Sequence, residues 1–398
     1  MNRTTQILLN LAHALDHLFL LIFAAAVGAI ATDFGLARWE DMMPYTTGAF
    51  VLFGLGSVPS GRLGDLWGRR RMMLVFFFGM GLSALAVACT RTPTEMAIAL
   101  VVMGAFSSIY HPVGIPMLVQ SAARPGWTIG VNGLAGNLGI ATAALSTGFL
   151  VEHFGWRVAF VVPALVCMGL GLLFAWQAPA ESATPARSRS ASVTMPKSLV
   201  LRTFLVMVIT ATTTSLLFNF TTNGNAQLLA DRLQGLVSDP STLGMLLAGV
   251  YAIGSLAQLV VGRLLDRVAV KPLFVGILIL QCLAFAVASQ TSGWQWYLAA
   301  IGYMVMVFAA IPFSDAMVVR YIDDSMRSRV SGTRIAISFG ISSMAVYLLG
   351  PLVKAAGFGT LMTLMACIAA TGVLAVLWLP GQESIRRAQA LAQTPTAI

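Results

Sequence analysis

Apolar segments of about 20 residues follow one another along most of the chain, and short charged segments separate them. A helix needs about 20 apolar residues to cross the roughly 30 Å hydrocarbon core of a bilayer, so each segment is long enough to span a membrane. Of the 398 residues, 58% are apolar and 10% are charged, which is too little polar surface to coat a soluble domain of this size. The alternation expected of membrane-spanning strands is absent. We predict an all-α membrane protein.

The hydrophobic pattern predicts twelve transmembrane helices in two pseudo-symmetric six-helix halves. The first segment is too long and too polar in its middle for a cleavable signal, so we expect it to remain as a helix. The predicted spans are residues 6–31, 42–60, 72–90, 95–120, 127–150, 156–177, 203–226, 241–261, 273–290, 295–319, 330–352 and 357–379.

Positive charge is concentrated on one side of the predicted bundle. The formal net charge is +9, yet only five of the 24 Lys and Arg residues fall on the side opposite the termini, namely Arg38, Arg91, Arg157, Arg232 and Lys354. Cytoplasmic loops of membrane proteins carry such an excess of Lys and Arg. We therefore predict a multi-pass protein of the bacterial cytoplasmic (inner) membrane with both termini in the cytoplasm. The basic balance indicates contact with anionic membrane lipids, and we expect no nucleic-acid partner.

The chain divides into two related halves. Residues 178–202 interrupt the apolar pattern with Ala, Pro, Ser and Thr, which predicts an N-terminal half over 1–177, a cytoplasmic linker over 178–202, a C-terminal half over 203–380 and a cytoplasmic tail over 381–398. The charged turn from Gly61 to Arg71 has a weaker copy, Gly262 to Arg267, 201 residues later. A single offset that works over most of a half indicates an internal duplication, which is typical of secondary transporters.

The turn Gly61-Arg62-Leu63-Gly64-Asp65-Leu66-Trp67-Gly68-Arg69-Arg70-Arg71 resembles the signature that transporters of the major facilitator superfamily carry between their second and third helices. Twelve spans and the weaker copy extend this resemblance over nearly the whole chain. A finer, partial resemblance to the fosmidomycin-resistance branch lies in three segments: His13 to His17, Ser107 to Pro112, and Gly136 to Gly139. Val113 stands where that branch usually has a glutamate.

The superfamily resemblance implies a conformational latch on the cytoplasmic face. Glycines allow the loop to turn sharply, and Asp65, expected within a helical turn of Arg69, would pair with basic loop residues and a helix end of the other half. An alternative for Arg70 and Arg71 is that they only set the membrane topology. The predicted latch residues are Gly61, Asp65, Gly68, Arg69, Arg70 and, in the weaker copy, Asp266.

Ionisable residues inside the apolar spans are the candidate functional residues, because a charge near the centre of a membrane helix costs about 2.5 to 3.5 kcal/mol. They are His13, Asp16 and His17 in the first span, His111 in the fourth and Asp315 in the tenth, and the seventh span adds Asn219, Asn223 and Asn225. The resemblance implies that these same four spans line the central cavity.

The spacing of the first-span residues suggests their chemistry. His13 and His17 share one helix face, and Asp16 lies beside His13. An imidazole beside a carboxylate can take up and release protons in the physiological range. We predict proton coupling through Asp16 and Asp315 with His13 and His17 as partners. Substrate binding is predicted for His17, His111, Asn219 and Asn223.

Each assignment has a structural alternative. His111 could bond a carbonyl group freed by Pro112, Asp16 could be a structural partner of His13, and Asp315 could belong to a helix-end charge network with Arg320. Two histidines four residues apart are also common zinc ligands, but no further ligand follows at a defined spacing, so no metal is predicted. No nucleotide-binding P-loop is present, and we expect no cofactor.

These observations favour a monomeric, proton-coupled secondary transporter that moves a small organic solute by alternating access, with export slightly favoured over uptake. An uptake symporter or an uncoupled facilitator for a small organic anion is the first alternative. The second is a membrane-embedded metal-dependent enzyme. We expect the chain not to be an enzyme, since too few metal ligands can be identified.

Overall fold

The computed structural model describes residues 2–120, 122, 125–179, 197–265, 267–321 and 324–379, and the regular structure within these ranges is helical. Two 3₁₀ helices, Trp39–Asp41 and Met43–Thr46, precede α2, and a π-helical turn, Tyr110–Gly114, joins α5 to α6. The α-helices are α1 (Arg3–Asp33), α2 (Thr47–Leu55), α3 (Ser57–Trp67), α4 (Arg69–Ala88), α5 (Pro93–Ser107), α6 (Ile115–Gln120), α7 (Pro125–Phe154), α8 (Trp156–Gln177), α9 (Lys197–Arg232), α10 (Pro240–Leu265), α11 (Val270–Gln290), α12 (Gly293–Tyr321) and α13 (Asp324–Leu377).

Twelve membrane spans can be traced through these helices, as predicted. Ten helical segments of the described ranges are long and apolar enough to cross a membrane by themselves. The second span is divided at Gly56 into α2 and α3. The last two spans run together in α13, which turns at Gly357 with φ of 75°, a conformation that glycine adopts without strain.

Helix α9 begins within the predicted linker. It starts at Lys197, before residue 203, and no proline or glycine lies between these positions. The predicted division into halves, linker and tail stays a prediction. The rest of the predicted linker, residues 180–196, and the predicted tail, residues 381–398, lie outside the described residues.

The fourth span changes its helical pitch at its middle. Pro112 lacks a backbone N–H and clashes with the preceding turn of a regular helix, and the chain forms a π-helical turn around it. Such turns widen the helix and re-aim the side chains that follow. The fourth span therefore consists of α5, the π-helical turn and α6, and the turn carries Tyr110 and His111.

Small residues allow helices of the two halves to approach closely. A Cβ atom on Gly148 of α7 would lie 2.4 Å from the carbonyl oxygen of Pro240, and one on Gly244 of α10 would lie 2.5 Å from that of Ala144. Close backbone approach over small residues is a common way for membrane helices to associate. Helices α7 and α10 thus form one seam between the halves.

A second set of contacts joins the halves at the end of the bundle opposite the termini. Lys354, which precedes the bend in α13, forms an ion pair with Asp41 between α1 and α2. Trp39 and Phe358 stack with ring centroids 6.0 Å apart. An open vestibule of about 620 Å³ is lined in part by these two rings. The halves are therefore in contact at this end of the molecule.

The glycines of α7 differ in what surrounds them, and this difference can be tested. A Cβ atom on Gly139 would lie 2.1 Å from the carbonyl oxygen of Ala14 in α1, whereas one on Gly130 would have no atom within 4 Å. Gly139→Ala should therefore destabilise the protein by about 1 to 3 kcal/mol through overpacking, measured as thermal unfolding of the purified protein. The control, Gly130→Ala, should be neutral or slightly stabilising. Equal melting temperatures for the two variants would contradict this account.

Candidate functional site

The candidate site lies where α1 meets the π-helical turn of the fourth span. Helix α1 contributes His13, Asp16 and His17, and the fourth span contributes Ser107 and His111. These five residues are called the polar cluster below. The polar cluster brings together residues that are about 90 positions apart in the sequence, as the separation of 91 between Asp16 and Ser107 shows.

Asp16 is the one acid of the polar cluster, and it has no exposed surface. The hydroxyl of Ser107 donates a hydrogen bond to its Oδ1 atom. Its Oδ2 atom lies 3.7 Å from Nε2 of His111 and accepts no hydrogen bond among the described residues. The carboxylate is therefore held by one hydroxyl and faces one imidazole, which is little compensation for a buried charge.

His13 is oriented by the backbone of the fifth span. Its Nδ1 atom lies 2.7 Å from the carbonyl oxygen of Asn132 in α7, and its Nε2 atom lies 3.1 Å from Nε2 of His17. A carbonyl oxygen only accepts hydrogen bonds, so Nδ1 of His13 carries the proton. In the neutral pair, Nε2 of His13 is then the acceptor and Nε2 of His17 is the donor. These two contacts of His13 do not include Asp16, and the alternative that Asp16 is a structural partner of His13 stays a prediction.

Asn132 and Tyr110 support this arrangement, and the sequence analysis did not identify either residue. The amide of Asn132 donates to the hydroxyl of Tyr110 at 2.7 Å and to Oδ1 of Asn10 at 2.9 Å. Tyr110 in turn donates to the carbonyl oxygen of Leu9 at 2.8 Å. The amide side chain of Asn132 within the apolar fifth span could have identified this network from the sequence, since a polar group inside a membrane needs partners within the protein.

His111 joins the polar cluster from the fourth span. Its ring centroid lies 5.0 Å from that of His13 and 5.7 Å from that of His17. One nitrogen from each of the three histidines lies within 4.8 Å of the others, a set that could hold a transition-metal ion. The third imidazole could not be assigned from spacing alone, because it approaches from another helix. The expectation of a metal-free site stays a prediction.

The polar residues of the seventh span lie in α9 and bond mainly within their own helix. The amide of Asn219 donates to the carbonyl oxygen of Ser215, and that of Asn223 donates to the carbonyl oxygen of Asn219, both at 3.0 Å. Asn225 is buried and accepts a hydrogen bond from Tyr303. The contact between α9 and the polar cluster is made by Phe218, whose ring lies 6.4 Å from that of His17. The assignment of Asn219 and Asn223 to substrate binding stays a prediction.

Comparison with known protein families shows which family this chain belongs to. Residues 9–233, more than half of the chain, match the Major Facilitator Superfamily. The chain belongs to the Major Facilitator Superfamily. The superfamily consists of membrane transporters and not of enzymes, which agrees with the expectation of no enzymatic activity. The narrower resemblance to the fosmidomycin-resistance branch stays a prediction.

Relatives of this superfamily member include export and resistance proteins. It is 26% identical over 167 residues to the tetracenomycin C resistance and export protein of Streptomyces glaucescens. The aligned residues cover 41% of this chain and 31% of that protein. This match therefore spans about a third of the relative's length. It is 22% identical over 300 residues to the multidrug resistance protein MdtG of Salmonella dublin, covering 72% of this chain and 71% of that protein.

A solved structure shares the fold over the full length. The crystal structure of a bacterial homologue of the human lysosomal transporter Spinster, in an inward-facing and occupied conformation, has a TM-score of 0.68 and 15% identity. The match covers 97% of this chain and 96% of the other. This chain therefore shares its overall fold with that transporter.

The signature turn of this superfamily member packs against the polar cluster's own span. A Cβ atom on Gly61 would lie 3.3 Å from Cβ of Pro112, and one on Gly64 would lie 3.0 Å from Cγ2 of Val113. Ser60 and Ser108 are hydrogen-bonded at 3.0 Å. Because α3 rests on the π-helical turn, the signature glycines and the candidate site belong to one packed unit.

The charged residues of the signature turn lie on two helices. Helix α3, which carries Asp65, ends at Trp67, Gly68 has φ of 93°, and Arg69 begins α4. The expected pairing of Asp65 with basic residues stays a prediction. Asp65 is exposed. Arg69 donates to Gln120 at the end of α6, and Arg70 donates to the carbonyl oxygens of Ala175 and Ala178 at the end of α8.

Two predicted residues cannot be placed in these contacts. Asp266, of the weaker copy of the turn, lies outside the described residues. Asp315 lies in α12, but its side chain is not among those that the structure describes. The proposed roles of both residues therefore rest on the sequence.

The hydroxyl of Tyr110 provides a test of the network that orients His13. Tyr110→Phe should lower stability by about 1 to 3 kcal/mol, because buried Asn132 and Leu9 each lose a hydrogen-bond partner. Tyr347→Phe is the matched control, because Tyr347 is 47% exposed. Thermal unfolding of both purified variants measures the difference. The network would carry no such role if the two substitutions had equal effects.

Proposed function

We propose that the chain is a proton-coupled secondary transporter that moves a small organic solute by alternating access, and that it exports this solute. Membership of the superfamily supports transport, and the export and resistance functions named for its relatives support the direction. We place it as a monomer in the bacterial cytoplasmic membrane with both termini in the cytoplasm, in accord with the distribution of Lys and Arg.

The buried carboxyl group of Asp16 carries the proposal of proton coupling. A fully buried carboxylate with one hydroxyl donor is costly in its charged form, and uptake of a proton removes that cost. The titratable groups near it are the three histidines of the polar cluster together with Tyr110 and Cys167. No Lys or Arg pairs with Asp16 among the described residues. Asp315 is the second proposed proton carrier, on the sequence evidence alone.

The histidine pair offers a route for the proton. When a proton arrives at Nδ1 of His17, the proton on Nε2 of His17 can pass to Nε2 of His13, because Nδ1 of His13 is already bound to the carbonyl of Asn132. The hydrogen bond between the two rings then runs from His13 to His17. His17 and His111 are partly exposed, whereas His13 and Asp16 are buried. We propose that His17 and His111 contact both protons and substrate, and that Asn219 and Asn223 contribute to substrate binding from the other half.

We propose that alternating access breaks and forms contacts between the halves at opposite ends of the bundle. We propose that the six-helix halves, residues 1–177 and 203–380, move as units around the polar cluster. The ion pair between Asp41 and Lys354 joins them at the end opposite the termini. Its side chains are more than 40% exposed, so it contributes only about 0 to 1 kcal/mol and can break readily. The proposed latch at the cytoplasmic face comprises Gly61, Asp65, Gly68, Arg69, Arg70 and Asp266.

An accumulation assay on the wild-type chain and an Asp16 variant tests the direction of transport and its proton coupling together. An efflux-deficient bacterium expressing the chain is grown on a panel of toxic organic solutes, and intracellular accumulation of each solute is measured. The wild-type chain should lower accumulation of at least one solute, and Asp16→Asn should abolish this effect because the amide binds no proton. Asp231→Asn, at a half-exposed acid, is the control and should retain activity.

The outcomes distinguish the alternatives for this function. Increased accumulation with the wild-type chain would indicate uptake. Export that persists in Asp16→Asn and is insensitive to collapse of the proton gradient would exclude coupling through this residue. Membrane levels of each variant are compared by immunoblotting, so that loss of protein is not mistaken for loss of transport.

Asp65 tests the proposed latch separately. Asp65→Asn should leave the protein in the membrane, since Asp65 is exposed and outside the packed core, but should largely abolish transport of the solute identified above. The measurement is the initial transport rate per amount of protein in the membrane. Asp41→Asn, at the opposite end, is the companion variant and should have a smaller effect because its ion pair is exposed. Wild-type rates in Asp65→Asn would rule out the latch.

A further inference from the structure

Five aromatic rings from five spans form a continuous series across the middle of the protein. In spatial order they are Phe218, His17, His111, Phe53 and Phe339, and we call this series the ring arc. Successive ring centroids are 6.4, 5.7, 5.6 and 5.2 Å apart. Successive planes are inclined by 67°, 82°, 81° and 84°, so each neighbouring pair is arranged edge to face. This edge-to-face arrangement is a favourable one for aromatic rings.

The ring arc is only partly covered by the protein. Four of its members are partly exposed, and Phe53 alone is buried. The side chain of His111, at the centre of the arc, is 32% exposed. Aromatic surface at the centre of a membrane bundle is therefore available to a solute that enters between the halves.

The ring arc crosses from one half to the other twice. Its outer members, Phe218 of α9 and Phe339 of α13, belong to the C-terminal half, and its three inner members belong to the N-terminal half. Gly54 allows the second crossing, because a Cβ atom there would lie 2.6 Å from Cβ of Phe339. Any movement of the halves relative to each other changes the contacts of Phe218 with His17 and of Phe339 with Phe53.

From this arrangement we infer that the solute contains a planar aromatic ring that carries hydrogen-bond donors. The inference rests on the proposed function, because it names the class of solute carried at the same site. A solute ring between the halves replaces the ring contacts that their movement breaks, so it stabilises the conformation in which it is bound. In the neutral histidine pair, Nε2 of His17 donates to His13, which leaves Nδ1 of His17 as an acceptor for a hydroxyl group of the solute.

A saturated ring of the same size would gain burial but not the edge-to-face interaction. The preference for a planar ring over its saturated counterpart should therefore be roughly tenfold, the equivalent of one favourable aromatic pair. The two compounds of a pair carry hydroxyl groups at the same ring positions. Because a phenol is a stronger hydrogen-bond donor than an alcohol, variants of Phe218 are needed to separate the ring contact from the strength of the hydroxyl donors.

The experiment measures binding to the purified full chain in lipid nanodiscs without a proton gradient. Two probe pairs are compared by equilibrium dialysis: resorcinol with cyclohexane-1,3-diol, and 2,7-dihydroxynaphthalene with decahydronaphthalene-2,7-diol. Empty nanodiscs correct for partitioning into lipid. At least one planar diol should bind roughly tenfold more tightly than its saturated counterpart.

Variants of Phe218 show whether the ring arc causes this preference. Phe218→Leu removes the ring but keeps apolar volume, and it should reduce the planar preference to near unity. Phe218→Tyr keeps the ring and should retain the preference. Phe149→Leu is the matched control, because Phe149 is 48% exposed in α7 outside the ring arc, and it should also retain the preference.

Each result bears on the inference. Equal affinities within both pairs, no saturable binding of either planar diol, or an unchanged preference in Phe218→Leu would overturn it. Because binding is measured without a gradient, planar preference in a chain that shows no proton-driven transport would support the ring arc while the proposed function failed. Proton-driven transport without a preference for the planar diols would support the proposed function while the inference from the ring arc failed.

Discussion

Every polar group within a bilayer must find its partner inside the protein, and this constraint shapes the N-terminal half. The carbonyl of Asn132 binds His13, while its side chain binds Tyr110 and Asn10. These contacts join the first, fourth and fifth spans. The hydrogen bonds that satisfy the buried groups are thus the same ones that determine which nitrogen of His13 faces His17.

The signature turn and the polar cluster depend on each other through packing. Gly61 and Gly64 allow α3 to lie against Pro112 and Val113, so the span that carries His111 is supported by the segment that carries Asp65. A larger residue at Gly64 would press on the π-helical turn. This contiguity gives the proposed latch a physical connection to the proposed binding site.

The two halves differ in their packing at a pair of glycines that the sequence offset relates. The offset that relates the halves pairs Gly139 with Gly340, yet a Cβ atom on Gly139 would meet the backbone of Ala14 and one on Gly340 would meet no atom within 4 Å. The N-terminal half holds the polar cluster, and the C-terminal half contributes Phe218 and Phe339 to the ring arc. The two halves therefore supply different side chains to the ring arc.

The sequence by itself determined the membrane fold, the number of spans and the helix faces of His13, Asp16 and His17, because hydrophobic length and helical periodicity are local properties. It also singled out His111 by the cost of burying a polar group. Only the tertiary structure decided that the carbonyl of Asn132 orients His13, that His111 meets Asp16, and that five rings from both halves form one arc. These contacts join residues far apart in the chain, and their distances depend on how the helices pack.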